Sequence, residues 1–181
     1  MSSVLNVDLA SDYGDLATYD LVDGYKVPKK MGNRSNMLTG LVTAALVAYV
    51  SPRKLGFVLA ECIVRMTPKG IPRRPDVLFV KPDRFDPSAA EDRDPWEFVP
   101  NLAVEVVSKT NTFNEIEEKM EDYFAAGVEA VWVVSNRTRR VTVYTSMKNP
   151  LVYEGDDSID ASPVLPGLLI PLESIFAVLG K

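Results

Sequence analysis

The stretch Leu102-Ala103-Val104-Glu105-Val106-Val107-Ser108 decides how this chain is read. It is short, apolar and rich in β-branched residues, and Pro100-Asn101 precedes it, so the pattern predicts a buried strand. Glu105 is the exception within it. A carboxylate in that setting loses water on both sides, and unpaired it costs several kcal/mol or keeps its proton. A cation, a metal or a proton must therefore accompany it. The residues that follow predict a helix over 114–126 closed by Gly127, with Ile116, Met120, Tyr123 and Phe124 as its apolar stripe. A strand over 129–134 comes next. Strand, helix and strand in this order form a right-handed βαβ step.

Upstream, Val77 to Val80 reads as a strand opened by Pro75-Asp76, and Gly56 to Met66 reads as one longer strand. Between Lys81 and Pro100 lies a Pro- and Asp-rich excursion, long enough to predict a functional or mobile loop. A short helix is expected over 12–19, capped by Ser11, followed by a hairpin over 21–27 with Asp23-Gly24 as its turn. A strong helix starts at Asn33 or Ser35 and should end near Val50, before Ser51-Pro52. Its apolar residues nearly surround it, which predicts burial on most sides. Downstream, strands are expected over 140–144 and 151–154, and a last helix near 172–179. The fold class is α/β, a central mixed β-sheet flanked by helices. The length of 181 residues suits one domain spanning 1–181.

Composition narrows the chemistry. The chain has no histidine and one cysteine, Cys62. Histidine-based general bases, Ser-His-Asp hydrolysis, paired-thiol metal sites and internal disulfides are excluded. Lone Cys62 fits a reducing, cytoplasmic setting. Hydrophobic residues are 46% and charged residues 25%, an ordinary globular balance. The net charge of −5 argues mildly against bulk nucleic-acid binding, although a local basic patch can sit on an acidic protein. The N-terminus lacks a basic region and a long apolar core, so no signal peptide is expected. The longest apolar stretch, Met37 to Val50, is about 14 residues, too short to span a bilayer.

Three residues stand out for chemistry. Asp76 follows a proline at the start of a strand, and strand ends are where α/β proteins expose ligands. Glu105 is the second carboxylate. Lys119 lies beside the apolar stripe of the helix after the Glu105 strand and can reach over the sheet. Taken alone, Asp76 reads as a turn or strand-start residue, Glu105 as a ligand to a hard cation or half of a structural ion pair, and Lys119 as a site residue or a solvated lysine. Together they suggest metal-assisted phosphodiester chemistry. Mg²⁺ suits one or two carboxylates with retained waters, and the Val106 carbonyl is a further ligand candidate. Glu61 interrupts an apolar run and is either a third acid or an edge residue. Asp20 and Asp23 read as turn and capping residues. Arg73-Arg74 flanks Asp76 and reads as a phosphate contact, while Arg137 to Arg140 reads as a charged hairpin turn. Glu105→Gln is expected from the sequence to raise the stability of the metal-free protein, or to leave it unchanged, because it relieves like-charge repulsion. If Glu105 is instead half of a structural ion pair, the outcome reverses and the fold loses about 3–5 kcal/mol.

These segments together resemble the Uma-two-type restriction endonuclease family, a branch of the PD-(D/E)XK nuclease superfamily. Tyr19-Asp20-Leu21-Val22-Asp23-Gly24 is similar to its YELVDG segment. Arg74-Pro75-Asp76-Val77 is similar to RPDV, and Glu105-Val106-Val107-Ser108 to EVLS. Lys119 with Tyr123, Gly127, Val128 and Trp132 resembles K…Y…GV…YW, and Leu165-Pro166-Gly167-Leu168 resembles LPGL. Asp20 stands where the family has Glu, and Asn36 where a His is common. The superfamily's usual lysine position, two residues after the strand acid, is Val107 here. The resemblance implies a restriction endonuclease-like core and Mg²⁺-dependent DNA cleavage, with Mn²⁺ as a substitute. It also implies Asp76 and Glu105 as metal ligands and Lys119 as the catalytic lysine. DNA is then the expected substrate, no membrane is involved, and a homodimer supplies two active sites. The alternative is a catalytically silent nuclease-fold binding module whose acids form a structural polar network.

Overall fold

In the computed structural model, residues 19–22, 25–28, 32–67, 70–88, 95–107 and 113–180 are described. Strands β1 (Tyr19–Val22) and β2 (Tyr25–Pro28) form an antiparallel hairpin whose register brings Val22 opposite Tyr25. Of the helix expected over 12–19, only Tyr19 is described, and it opens β1 instead; the Asp23-Gly24 turn lies outside the described residues. Helix α1 (Asn33–Arg53) follows. It runs through Pro52 instead of stopping before Ser51. The left-handed Lys54 stops it there, with its N–H directed at the carbonyls of Ser51 and Val50. The burial expected on most sides of α1 is not observed. Ser35, Leu38, Thr39, Val42, Leu46 and Val50 form one buried stripe, while Met37 and Val47 are exposed. The reason is that, among the described residues, one face of α1 packs on the sheet, α3 and the 161–168 segment.

The expected single strand over 56–66 is instead two. β3 (Phe57–Ala60) ends at Glu61, whose φ of 55° breaks the extended backbone, and β4 (Val64–Arg65) belongs to a different sheet. β5 (Val77–Val80) pairs antiparallel with β3. Within the excursion, β6 (Trp96–Glu97) pairs parallel with β4. β7 (Leu102–Val107), helix α2 (Phe113–Ala126) and β8 (Ala130–Ser135) form the expected unit, and β7 and β8 are parallel. β9 (Arg140–Tyr144) and β10 (Leu151–Tyr153) continue the main sheet antiparallel. A hairpin not anticipated from sequence, β11 (Ser158–Asp160) with β12 (Leu169–Pro171), brackets the Leu165-Pro166-Gly167-Leu168 turn. Helix α3 (Leu172–Phe176) and a 3-10 turn over Ala177–Leu179 end the described chain.

The main sheet has six strands in the order β10-β9-β8-β7-β5-β3. Its two faces bury different cores, because side chains alternate along each strand. Leu102, Val104 and Val106 of β7 join Val77, Phe79, Trp132 and Val134 against α1 and α3. Ala103 and Val131 face the other way, against Ile116, Met120 and Tyr123 of α2. Glu105 shares the parity of Ala103, so it lies under α2. At the far edge, Gly56 has φ 148°, and a Cβ there would stand 2.1 Å from the carbonyl oxygen of Val80. Gly56→Ala is therefore expected to destabilise the fold by at least about 1–3 kcal/mol, through overpacking against backbone that cannot step aside. Chemical denaturation of the two proteins measures this.

Candidate active site

Three sequence positions far apart meet beneath α2. Asp76, Glu105 and Lys119 are 2%, 3% and 4% exposed, and Tyr123 is fully buried with them. The Lys119 ammonium donates to Glu105 Oε2 at 3.0 Å, and the Tyr123 hydroxyl donates to Glu105 Oε1 at 2.6 Å. The Val106 N–H donates to Asp76 Oδ2 at 2.6 Å. The register explains why the acids are neighbours. Val77 pairs with Val104 across β5 and β7, and one residue further sets Asp76 across from Glu105. α2 delivers both donors because positions four apart share a helix face.

Glu105 thus has the cation its burial demands. The ion pair is the structural arrangement weighed from sequence, and it coexists with the acid–acid–lysine grouping. Burial, and then the Glu105 charge and its hydrogen bond, push the Tyr123 phenol well above its ordinary range. It therefore stays protonated and acts as a donor. Reading Tyr123 as a core-stripe residue captured its ring but missed its hydroxyl. Two signals were present: a buried tyrosine O–H needs a partner, and Tyr123 lies four residues after Lys119.

Arg73 is not a free phosphate contact. It is 3% exposed, and its guanidinium binds Asp122 Oδ2 through Nε at 2.8 Å and Glu118 Oε1 at 2.6 Å. Burial opposes its charge, but the hydrogen bonds to Glu118 and Asp122 outweigh that, and its pKa lies above the ordinary arginine value. The backbone of Arg73 also bridges to Val64, N–H and carbonyl both at 2.9 Å. α2 therefore carries two adjacent stripes, 118/122 toward Arg73 and 119/123 toward Glu105. Arg73→Met is expected to cost about 2 kcal/mol, since Glu118 and Asp122 are partly exposed and can turn to water. Glu118→Ala with Asp122→Ala should cost more, about 3–5 kcal/mol, because it takes two carboxylates from a buried guanidinium. Melting curves of the two variants check the order.

Glu61 lies one residue beyond the Ala60–Val77 pair, and its N–H donates to the Asp76 carbonyl at 3.2 Å. Its carboxylate faces the Arg74 guanidinium at 3.3 Å. It borders Asp76, with its charge directed to Arg74. Asp20 falls on β1 opposite Val27, while Asp23 lies outside the described residues. Arg140 of the hairpin pairs with Glu154, consistent with a charged turn.

Among the described residues, no group of three or more Asp, Glu, His or Cys side chains converges as a metal cage. The donor set beneath α2 is two carboxylates. That chemistry fits Mg²⁺ or Mn²⁺, hard cations satisfied by one or two carboxylates plus water, and does not fit Zn²⁺. Among the described residues, no helix is long and apolar enough to cross a membrane.

Comparison with known proteins bears on the fold and the family. The crystal structure titled "putative nuclease belonging to DUF820" from Anabaena variabilis ATCC 29413 superposes with a TM-score of 0.74 at 16% identity. The superposition covers 87% of this chain and 89% of that one, and it shows a shared fold. A search of curated proteins gives no match. Residues 10–173 match the family described as "Uma2: Putative restriction endonuclease". That span takes in both carboxylates, the lysine and every strand of the main sheet, and the chain belongs to the Uma2 family.

Proposed function

We propose that the chain is a metal-dependent endonuclease that hydrolyses DNA phosphodiester bonds. Asp76 and Glu105 would hold Mg²⁺, or Mn²⁺ in its place, with Lys119 as the catalytic cation. The observation that carries this reading is the burial of two carboxylates from adjacent strands with one lysine from the following helix. When bound, the metal supplies a water of lowered pKa and neutralises charge on the scissile phosphate. Asp76 is oriented for this by the Val106 amide, and Glu105 by Lys119 and Tyr123. The Lys119 ammonium stabilises the charge that develops on the phosphoryl oxygens as water adds and one P–O ester bond breaks. With no histidine in the chain, protons leave through water or substrate phosphate. A homodimer belongs to the same proposal, since a duplex has two strands to cut and closed two-fold dimers are the commonest assemblies. So does a cytoplasmic setting.

The second reading, a silent nuclease-fold module, is favoured by one observation. Both oxygens of Glu105 already accept hydrogen bonds within the protein. Metal-dependent melting separates the two. Mg²⁺ at ten times its dissociation constant should add about 1.4 kcal/mol, roughly 3–6 °C for a domain of this size. The shift should vanish in Asp76→Asn. A wild type whose melting ignores Mg²⁺ and Mn²⁺ would leave the silent module as the better account.

A further inference from the structure

We infer that Tyr123 is a positioning residue of this site, which fixes the Glu105 carboxylate through its Oε1 atom; the inference rests on Glu105 being a metal ligand. The torsion that turns a glutamate carboxylate is broad and weakly restrained. Lys119 contacts Oε2 only, and a single contact on one oxygen restrains the carboxylate plane less than contacts on both. The Tyr123 hydroxyl on Oε1 supplies the second point and fixes the plane. Each carboxylate oxygen has two lone pairs, and α2 engages one direction on each.

The ring of Tyr123 packs with Ile116 and Met120 between α2 and the sheet, a task phenylalanine would perform equally well. The hydroxyl is what distinguishes the residue. It reaches no other acceptor than Glu105 among the contacts of the described residues. Both donors to Glu105 come from one face of one helix, and Arg73 holds the adjacent stripe of that helix. The seating of α2 on the sheet therefore bears on the orientation of the carboxylate through both of its oxygens. Outer hydrogen-bond partners of this kind typically change metal affinity 10–100-fold.

The test is calorimetric titration of Mn²⁺ into the full-length wild type, Tyr123→Phe and Tyr49→Phe. Tyr49 is the control, because its hydroxyl also makes one hydrogen bond, to the Pro166 carbonyl at 2.8 Å, away from the site. Tyr123→Phe should bind Mn²⁺ roughly 10–100-fold more weakly, while Tyr49→Phe keeps wild-type affinity. Wild-type affinity in Tyr123→Phe overturns the inference and leaves the metal reading standing. A wild type that binds no Mn²⁺ overturns the metal reading and the inference with it. If Tyr123→Phe does not fold, the wild type answers alone. A tyrosine ultraviolet difference band should grow with Mg²⁺ and saturate in step with binding heat, and binding without such a band overturns the inference.

Discussion

Glu105→Gln is expected to destabilise the protein by about 3–5 kcal/mol, or roughly 6–20 °C in melting temperature for a chain of this size. Two effects of opposite sign compete at this residue. Repulsion between Asp76 and Glu105 would be relieved by the substitution. Loss of the Glu105 charge also leaves the Lys119 ammonium, 4% exposed, without its carboxylate. The distances decide between them. Lys119 Nζ stands 3.0 Å from Glu105 Oε2 in a water-poor setting, where an abandoned charge is far costlier than a partly compensated repulsion. The glutamine amide can still accept from Tyr123 or Lys119 through its oxygen, but it returns no charge. Glu105→Gln with Lys119→Met should therefore recover part of the loss, because the pair leaves together. Denaturation of both single variants and the double variant gives the coupling energy. A double variant no more stable than the sum of the singles would contradict the pairing.

Asp76→Asn is expected to abolish most cleavage with little loss of stability. Asparagine keeps an oxygen for the Val106 N–H, the hydrogen bond that fixes Asp76 at 2.6 Å. It removes one of only two carboxylates in the site. Losing a ligand should cost at least about a hundredfold in activity, the upper end of what an outer partner costs. Lys119→Met should lower kcat by about 10²–10³, the usual loss for one donor aimed at developing charge. Only Lys119→Met should also lower the melting temperature, since it takes the lysine cation from the buried Glu105 carboxylate. The two variants thus separate chemistry from folding, measured as kcat on plasmid DNA beside thermal melts.

Much of this was readable from local pattern. Glu105 announced itself as a charge in an apolar strand, and β5, β7 and β9 fall where alternation and β-branched runs put them. Lys119 is buried beside the α2 stripe, where its spacing placed it. What escaped were features set by distant partners. Arg73 sits beside Arg74 in sequence and reads with it as a phosphate contact, but its acids lie 45 and 49 residues away on α2. The strand over 56–66 looks continuous because Glu61 reads as one charged position within an apolar run, and the residue pattern does not reveal its left-handed backbone. The β11–β12 hairpin is hidden because the long segment Ala161–Leu168 separates its strands and Ser158–Asp160 is too short for a pattern. α1 shows the reverse error: a run of apolar residues is not evidence of burial on every side, and its outer face stays exposed.

The most direct test of the central claim is cleavage of supercoiled plasmid by the purified wild type, in Mg²⁺ and in excess EDTA. The site geometry predicts nicked or linear DNA with Mg²⁺, and intact plasmid with EDTA or with Asp76→Asn. Equal cleavage in EDTA, or intact plasmid in Mg²⁺ and Mn²⁺ alike, would contradict it.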